Sequence, residues 1–395
     1  MKKLIAILLV LCISTGLLCG CNAPEQSGEP VETTEPAFQV TATDVDIAHL
    51  ESLYQGKEAV HGDTHGHTAS TPYSDGRNPM SDWKKHMKDN LIDFVTIVDH
   101  RQVLHMWHED WDDTIFIGGS EPGLHVTGTE IISKNNMDYS MIFTKAEGLE
   151  AVLNTYPADY MYLDGRFVSG LMADHAKMAE LIQCIKDNGG MFVYVHPYGR
   201  EGYYDPVDPM DYWFADETGF EVCNSLLGDY GDTMNVQAYE CWVNLLNNGK
   251  RIWAFSGSDS HTLPYLFALV TLYTEERNAQ GYFDQMRTGN LTAGPAGIRI
   301  AVGDAVTGSV GSFEDQRVVV SVSDFHQRVA RDDHKYRLDI YDDTGLVTSQ
   351  PLSLTETNYF AFDADPERLY YRANVFDESE GEIFAVGNPV WNSKK

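Results

Sequence analysis

From Ala59 to Thr68 the chain reads Ala-Val-His-Gly-Asp-Thr-His-Gly-His-Thr, and the pair His65 and His67 restricts the fold more than any other feature. Residues two apart on an extended backbone project to the same side, so two imidazoles at the end of a strand can hold one cation together. A His-x-His pair alone also arises by chance or on a surface. Here it is followed by four short motifs, each placing Asp, Glu or His at the end of an apolar run. They are Val98-Asp99-His100, Gly128-Thr129-Glu130, Val195-His196-Pro197 and Gly257-Ser258-Asp259-Ser260-His261. Such recurrence points to a barrel with a metal site at its strand ends. Glu130 lies inside an apolar stretch, where a carboxylate must be met by a cation or a hydrogen-bond network.

Taken in order, the pattern predicts a short helix over 43–55, a helix over 83–91 and a buried strand over 92–98. Between the first two, the loop Ser74-Asp75-Gly76 offers Asp75 either as a ligand swung back over the site or as a turn residue. Asp99 caps a helix or serves the site. Strands are expected over 124–132, 139–143, 191–195, 220–224 and 251–255, with helices over 176–188 and 237–247. Strand and helix alternate, which argues for a parallel barrel or wound sheet. The aromatic, acidic excursion from Tyr198 to Gly219 has the character of a lid or specificity loop. From Ile298 onward short alternating runs separated by turns predict an all-β unit, most simply an immunoglobulin-like sandwich. The expected division is 43–295 and 296–395.

Residues 1–20 read as a signal peptide, with Lys2 and Lys3 ahead of an apolar run that Ser14, Thr15 and Gly16 break short of a membrane span. Leu18-Cys19-Gly20-Cys21 resembles a bacterial lipobox, which makes Cys21 the lipidated first residue and residues 21–42 a flexible tether. The protein is then extracytoplasmic and lipid-anchored, touching the membrane through that anchor only. The formal charge of −31 becomes −33 once Lys2 and Lys3 are removed. A surface that acidic is not expected to bind nucleic acid, whose phosphates are held by Lys and Arg. Cys184, Cys223 and Cys241 remain, an odd number better read as buried thiols than as a disulfide framework.

In series, His-x-His, Ser-Asp-Gly, Asp-His, Gly-x-Glu, His-Pro and Gly-Ser-Asp-x-His resemble the polymerase and histidinol phosphatase (PHP) superfamily over residues 59 to about 275. Arg287-Thr288-Gly289, Gly294-Pro295 and the ending Gly387-Asn388-Pro389-Val390-Trp391 resemble the appended β domain of secreted members. The resemblance implies a distorted (βα)7 TIM-like barrel holding two or three divalent transition-metal ions, Zn, Mn or Fe, and hydrolysis of a small-molecule or extended phosphoester. It implies that His65 and His67 share one ion and that Glu130 bridges two. His100 and His196 ligate neighbouring ions, Asp259 and His261 close the cluster, and Asp75 joins it. Catalysis falls to a metal-bound hydroxide held by Glu130, Asp259 and His261, while Asp99 orients an imidazole.

Arg101, Arg166 and Arg200 are candidate phosphate clamps by position. His105 and His108 are expected in packing or surface roles, His61 in strand structure, and His326 and His334 in solvent. Family members commonly carry a further His between Gly-x-Glu and His-Pro. This chain has none on the corresponding strand, which leaves Asp138 or His175 to fill the place. Two other readings are a non-catalytic cell-surface binding or scaffold lipoprotein and a metal-dependent amide or ester hydrolase.

Overall fold

The computed structural model describes residues 40–395 apart from 72–73, 101, 123–137, 157–160, 164–165, 169–174, 199–213, 226–227 and 264–267. Cys21, Arg101, Glu130, Arg200, the whole of the expected 124–132 strand and most of the 198–219 excursion therefore lie outside the described residues.

The first part of the chain runs α1 (Asp44–Leu53), β1 (Glu58–Gly66), α2 (Met80–Asn90), β2 (Phe94–Ile97), a 3-10 turn (Leu104–Trp107) and β3 (Phe116–Ser120). It continues with β4 (Asp138–Phe143), α3 (Ala146–Thr155), the hairpin β5 (Met161–Leu163) and β6 (Arg166–Val168), and α4 (His175–Asp187). Then come β7 (Met191–Val195), β8 (Thr218–Asn224), α5 (Thr233–Asn247), β9 (Ile252–Gly257), β10 (Val270–Thr274), α6 (Ala279–Arg287) and β11 (Leu291–Ala293). Local chemistry sets several boundaries. Thr43 and Asp46 form a reciprocal capping box at the start of α1, and Asn278 caps α6 by accepting from Gly281 N–H at 2.9 Å.

The result is a mixed α/β architecture built on one large sheet. Its central run is β10-β1-β2-β3-β4-β7-β8-β9, in which β1, β2 and β3 are parallel, β4 is antiparallel to both neighbours, and β7, β8 and β9 are parallel again. The last strand of this run comes back to the first. A parallel bridge joins Gly66 to Ser260, and Thr64 Oγ1 donates to the Ser256 carbonyl at 3.0 Å. Helices α3 to α6 cover the sheet, burying Leu149, Leu181, Trp242 and Phe283 against Phe94, Tyr139, Tyr194 and Phe220.

The sequence pattern did not predict β3. Two glycines weaken its strand signal, yet both are needed where the chain is crowded. A Cβ on Gly119 would lie 2.5 Å from the Met141 carbonyl oxygen on β4.

The C-terminal part is all β, as the alternation predicts: β12 (Gly297–Val302), β13 (Ala305–Val306), β14 (Val310–Gly311), β15 (Arg317–Ser323), β16 (Tyr336–Asp342), β17 (Gly345–Leu352), β18 (Asn358–Asp363), β19 (Tyr370–Asp377), β20 (Glu382–Gly387) and β21 (Val390–Asn392). A four-stranded sheet, β13-β12-β15-β18, is buried on both faces. Ile298, Ile300, Val318 and Val320 point one way, onto Leu338, Ile340, Ala373 and Val375. The intervening Ala301 and Val319 point the other way, onto Leu50 and Tyr54 of α1 and Tyr273 of β10. Period-two alternation thus sorts one strand pair between two cores. The remaining C-terminal strands continue the central sheet, because β11 pairs with β20.

His326 and His334 are not solvated. His326 is 1% exposed, lies edge-on to His61 at 4.8 Å and hydrogen-bonds the Leu91 carbonyl at 3.2 Å. That carbonyl is left without a helical partner at the end of α2, and the imidazole supplies one. His334 Nδ1 meets Asp377 Oδ2 at 2.7 Å. Among the described residues the cysteines are free, with Cys223 and Cys241 buried and Cys184 half-buried, in keeping with thiols rather than bridges.

Candidate metal centre

The strand run delivers its ionisable residues to one end. His65 sits at the end of β1 and His67 just beyond it, His100 follows β2, and Glu121 directly follows β3. His196 follows β7, Glu221 lies within β8, and Asp259 and His261 follow β9. The loop after β1 brings Asp75 back over them. His196 and Asp259 have φ of 28° and 50°, a region non-glycine residues rarely adopt and one that collects at functional sites.

Two groups of potential ligand atoms result, each within 4.8 Å of its fellows: His65, Glu121, His196 and Asp259, and His67, Asp75, His100 and His261. The carboxylates of the first group stand between its imidazoles. Glu121 approaches His65 Nε2 at 3.3 Å and His196 Nε2 at 3.0 Å, and Asp259 approaches the same two atoms at 3.5 Å and 3.6 Å. In the second group Asp75 lies 3.4 Å from His100 Nε2 and 3.0 Å from His261 Nε2. His67 joins the two groups, since its Nε2 is 3.2 Å from both Glu121 and Asp259 while its ring stacks on His100 and His261 at 4.6 Å.

Three rings are held so that Nε2 faces the cluster. His65 Nδ1 meets Glu221 Oε1 at 3.1 Å, His100 Nδ1 the Glu121 carbonyl at 2.9 Å, and His261 Nδ1 the Asp259 carbonyl at 3.0 Å. Each partner is an acceptor, so Nδ1 carries a proton and Nε2 points inward, its lone pair available to a cation once the ring gives up its second proton. Gly257 makes room for the first of these bonds. A Cβ there would lie 2.6 Å from both Glu221 Oε1 and His65 Cβ.

His67 tests whether the residues fit a cation. Both of its ring nitrogens are buried and neither makes a hydrogen bond, although Nε2 faces two carboxylates. A buried imidazole left in that state is costly unless the lone pair has another acceptor of charge. Imidazole nitrogen and carboxylate oxygen in this mixture are the donors that divalent transition ions take. The electrostatics agree. Burial alone would push Glu121 and Asp259 up. The surrounding imidazoles, His65 foremost, override it and hold Glu121 well below the usual carboxylate range and Asp259 at about 2. The cluster is built for positive charge between its carboxylates.

Three residues that the motifs did not name support it. Glu221 braces His65, and its other oxygen accepts from His196 N–H at 2.7 Å and Asn224 Nδ2 at 2.8 Å. Asp63 accepts from the His65 and Ser258 backbone N–H groups at 3.0 and 2.9 Å and from the Ser258 hydroxyl. Burial raises its carboxyl to about 6. Glu121, the third, stands among the ligand atoms, while Glu130 lies outside the described residues. Asp99 was expected to orient an imidazole. It instead accepts from Thr68 N–H and Oγ1, Thr71 Oγ1 and Ser74 Oγ at 2.6 to 3.0 Å, pinning the loop that carries Asp75. The nearest ring, His105, is buried at 3.9 Å, whereas His108 is partly exposed near Asp110. On β4 the register sets Asp138 opposite Val195, next to His196, and the side chains of Asp138 and His175 lie outside the described residues.

The bracing role of Glu221 has a measurable consequence. Glu221→Gln keeps the shape but removes the charge that fixes the His65 tautomer, and it should weaken divalent-ion affinity by about 10- to 100-fold. Competition against a chromophoric chelator measures this. Unchanged affinity would mean that His65 is positioned without Glu221.

No family model matches the chain, and no curated protein does. Solved structures show partial likeness. A lesion-specific endonuclease from Pyrococcus furiosus is 12% identical with a TM-score of 0.39, over 58% of this chain and 56% of that one. The chain thus spans just over half the endonuclease's length. An amidohydrolase from Chromobacterium violaceum is 14% identical with a TM-score of 0.33, over 51% of this chain and 87% of that one. A protein from Bifidobacterium adolescentis assigned as a metal-dependent phosphoesterase is also 14% identical, with a TM-score of 0.29 and the same coverage, 51% and 87%. What the site can do follows from its own residues.

Proposed function

We propose that this chain is a metal-dependent hydrolase of phosphoesters, a phosphatase or phosphodiesterase, working at the strand-end cluster. The observation that carries the reading is the pair of ligand groups joined through His67, with Glu121 and Asp259 between the imidazoles. Held by His65, Glu121, His196 and Asp259 on one side and His67, Asp75, His100 and His261 on the other, divalent ions supply Lewis acidity toward phosphoryl oxygens and lower the pKa of water. The strand run that Gly66 and Ser260 bring back on itself supports reading it as the distorted barrel of the PHP resemblance.

The chain's own residues divide the remaining work. Glu221 and the Glu121 and Asp259 carbonyls keep imidazole lone pairs aimed inward, so ligands need no reorganisation on binding. His100 and His261, with side chains 22% and 24% exposed, are the imidazoles of the cluster nearest solvent and so border the side from which substrate would arrive. Burial pushes the Cys223 thiol well above its ordinary value, which makes it a poor nucleophile. We also read Cys21 as the point of lipid attachment, with the β-rich C-terminal part as an appended domain.

Elemental analysis of protein purified without chelator, followed by a panel of phosphomonoesters, phosphodiesters, amides and carboxylic esters, tests the reading. Two or more divalent ions per chain and turnover confined to phosphoesters are expected. Fewer than one ion after reconstitution with Zn, Mn and Fe would defeat the multinuclear site, and turnover of amides or carboxylic esters alone would reassign the substrate.

A further inference from the structure

A cavity of about 900 Å³ lies at the end of the strand run away from the cluster, bounded by Met191 at the start of β7, by Arg251 and Trp253 at the start of β9, and by Val306 to Val310 of the C-terminal part. Strand β9 separates the two ends. Its six residues span about 20 Å, with Arg251 before it and Asp259 after it. This volume is ample for a small organic ligand.

The charge of the lining is the reverse of the protein's. Acids outnumber bases 59 to 28 in the chain, yet the cavity presents four cations, Lys57, Lys186, Arg251 and Arg287, and two carboxylates, Glu217 and Asp284. The carboxylates are already engaged. Glu217 lies 3.9 Å from Lys186 and 3.7 Å from Arg251, and Asp284 accepts from Arg287 at 3.0 Å. Among the described residues Lys57 has no carboxylate partner, its ammonium standing 5.4 Å over the Tyr54 ring.

The cations come from four separate places in the chain: the turn before β1, the last turn of α4, the turn before β9 and the last turn of α6. Their meeting is therefore a product of the tertiary fold and not of a charged run. One of the carboxylates is held under strain. Glu217 has φ of 59°, fixed by its N–H to the Arg251 carbonyl at 2.7 Å, while the neighbouring Asp216 accepts from Arg251 N–H at 2.8 Å and from Lys186 Nζ at 3.2 Å. Shared contacts with Asp216 and Glu217 thus set Lys186 and Arg251 on the same wall.

We infer that this cavity is a binding site for a small anion bearing two or more phosphate charges, separate from the strand-end cluster. Two uncompensated positive charges across a confined space favour a multiply charged anion over a single carboxylate, and guanidinium groups on two sides suit the planar donation that phosphate oxygens accept.

Inorganic pyrophosphate is the probe, titrated calorimetrically into the whole chain after removal of metal ions, with inorganic phosphate in parallel. Saturable one-to-one binding is expected, with phosphate binding more weakly. Lys57→Ala combined with Arg287→Ala should weaken pyrophosphate by about tenfold or more, roughly 1.4 kcal/mol, since two exposed charges are lost. His100→Ala with His261→Ala should leave it unchanged. Lys88→Ala with Arg328→Ala serves as the control for general loss of positive charge. The inference is overturned if pyrophosphate does not saturate, if the Lys57 and Arg287 changes leave affinity within twofold, if the control weakens binding equally, or if the His100 and His261 changes abolish it and so place the anion at the cluster. Thermal melting of each variant, expected within a few degrees of the parent, separates lost binding from lost fold.

Discussion

Glu121→Gln should reduce phosphoester turnover by about a thousandfold, roughly 4 kcal/mol of barrier, and lower the number of bound ions, while Glu130→Gln leaves both within a few-fold of the parent. The expectation rests on position. Glu121 Oε2 lies 3.3 Å from His65 and 3.2 Å from His67, and Oε1 lies 3.0 Å from His196, so one carboxylate reaches imidazoles of both ligand groups. The amide keeps the volume and loses the charge, which leaves the strand end intact and separates chemistry from folding. Initial rates and elemental analysis on the two variants decide the matter. Full activity in Glu121→Gln together with loss in Glu130→Gln would move the shared carboxylate to the motif that the sequence alone suggested.

The second large effect falls far from any ligand. Asn388→Ala should destabilise the protein by about 3 kcal/mol, and a chain ending at Pro295 should not fold cooperatively. Strand β9 ends the sheet run, and the buried Asn388 side chain occupies its open edge. Its Oδ1 accepts from Ala254 N–H at 2.6 Å, and its Nδ2 donates to the Ala254 and Leu291 carbonyls at 3.1 and 3.2 Å. Alanine strands all three groups without water. Ending the chain earlier also strips β20 from β11 and removes Tyr370, Val386 and Trp391 from the central core. Chemical denaturation of the variant and of the shortened chain measures both. A cooperative transition in the shortened chain would show that the first 295 residues stand alone.

Strong local signals made much of this legible. The strands after which His100, His196 and Asp259 fall are short apolar runs bounded by polar residues, and the helices over Met80–Asn90 and Thr233–Asn247 have clear apolar stripes. Glu121 was overlooked for a physical reason. Gly119-Ser120-Glu121 and Gly128-Thr129-Glu130 satisfy the same motif, but the first follows a strand whose two glycines hide it from propensity. Close packing against Met141 is what demands a glycine there, and packing is not visible in one strand's composition. Glu221 was equally hidden, because a carboxylate within an apolar strand declares its partner only when His65 arrives from 156 positions away. Asp63 was within reach. It is a carboxylate within the same strand, two residues before His65, in a run that is otherwise buried.

The four-stranded sheet β13-β12-β15-β18, separate from the one that carries the cluster, ties the earliest described helix to the C-terminal part. Helix α1 lies on β12 and β15, with Glu51 bonded to Arg299 at 2.7 Å and Asp46 to Arg317 at 2.9 Å, and Arg317 reaches on to the Thr41 carbonyl. The earliest described helix therefore docks on residues far along the chain, from Tyr273 of β10 to Arg299 of β12 and Arg317 of β15. Contacts of such separation slow folding and set its order. Placement of the N-terminal helix and closure of the β9 edge by Asn388 thus both depend on residues of the C-terminal part.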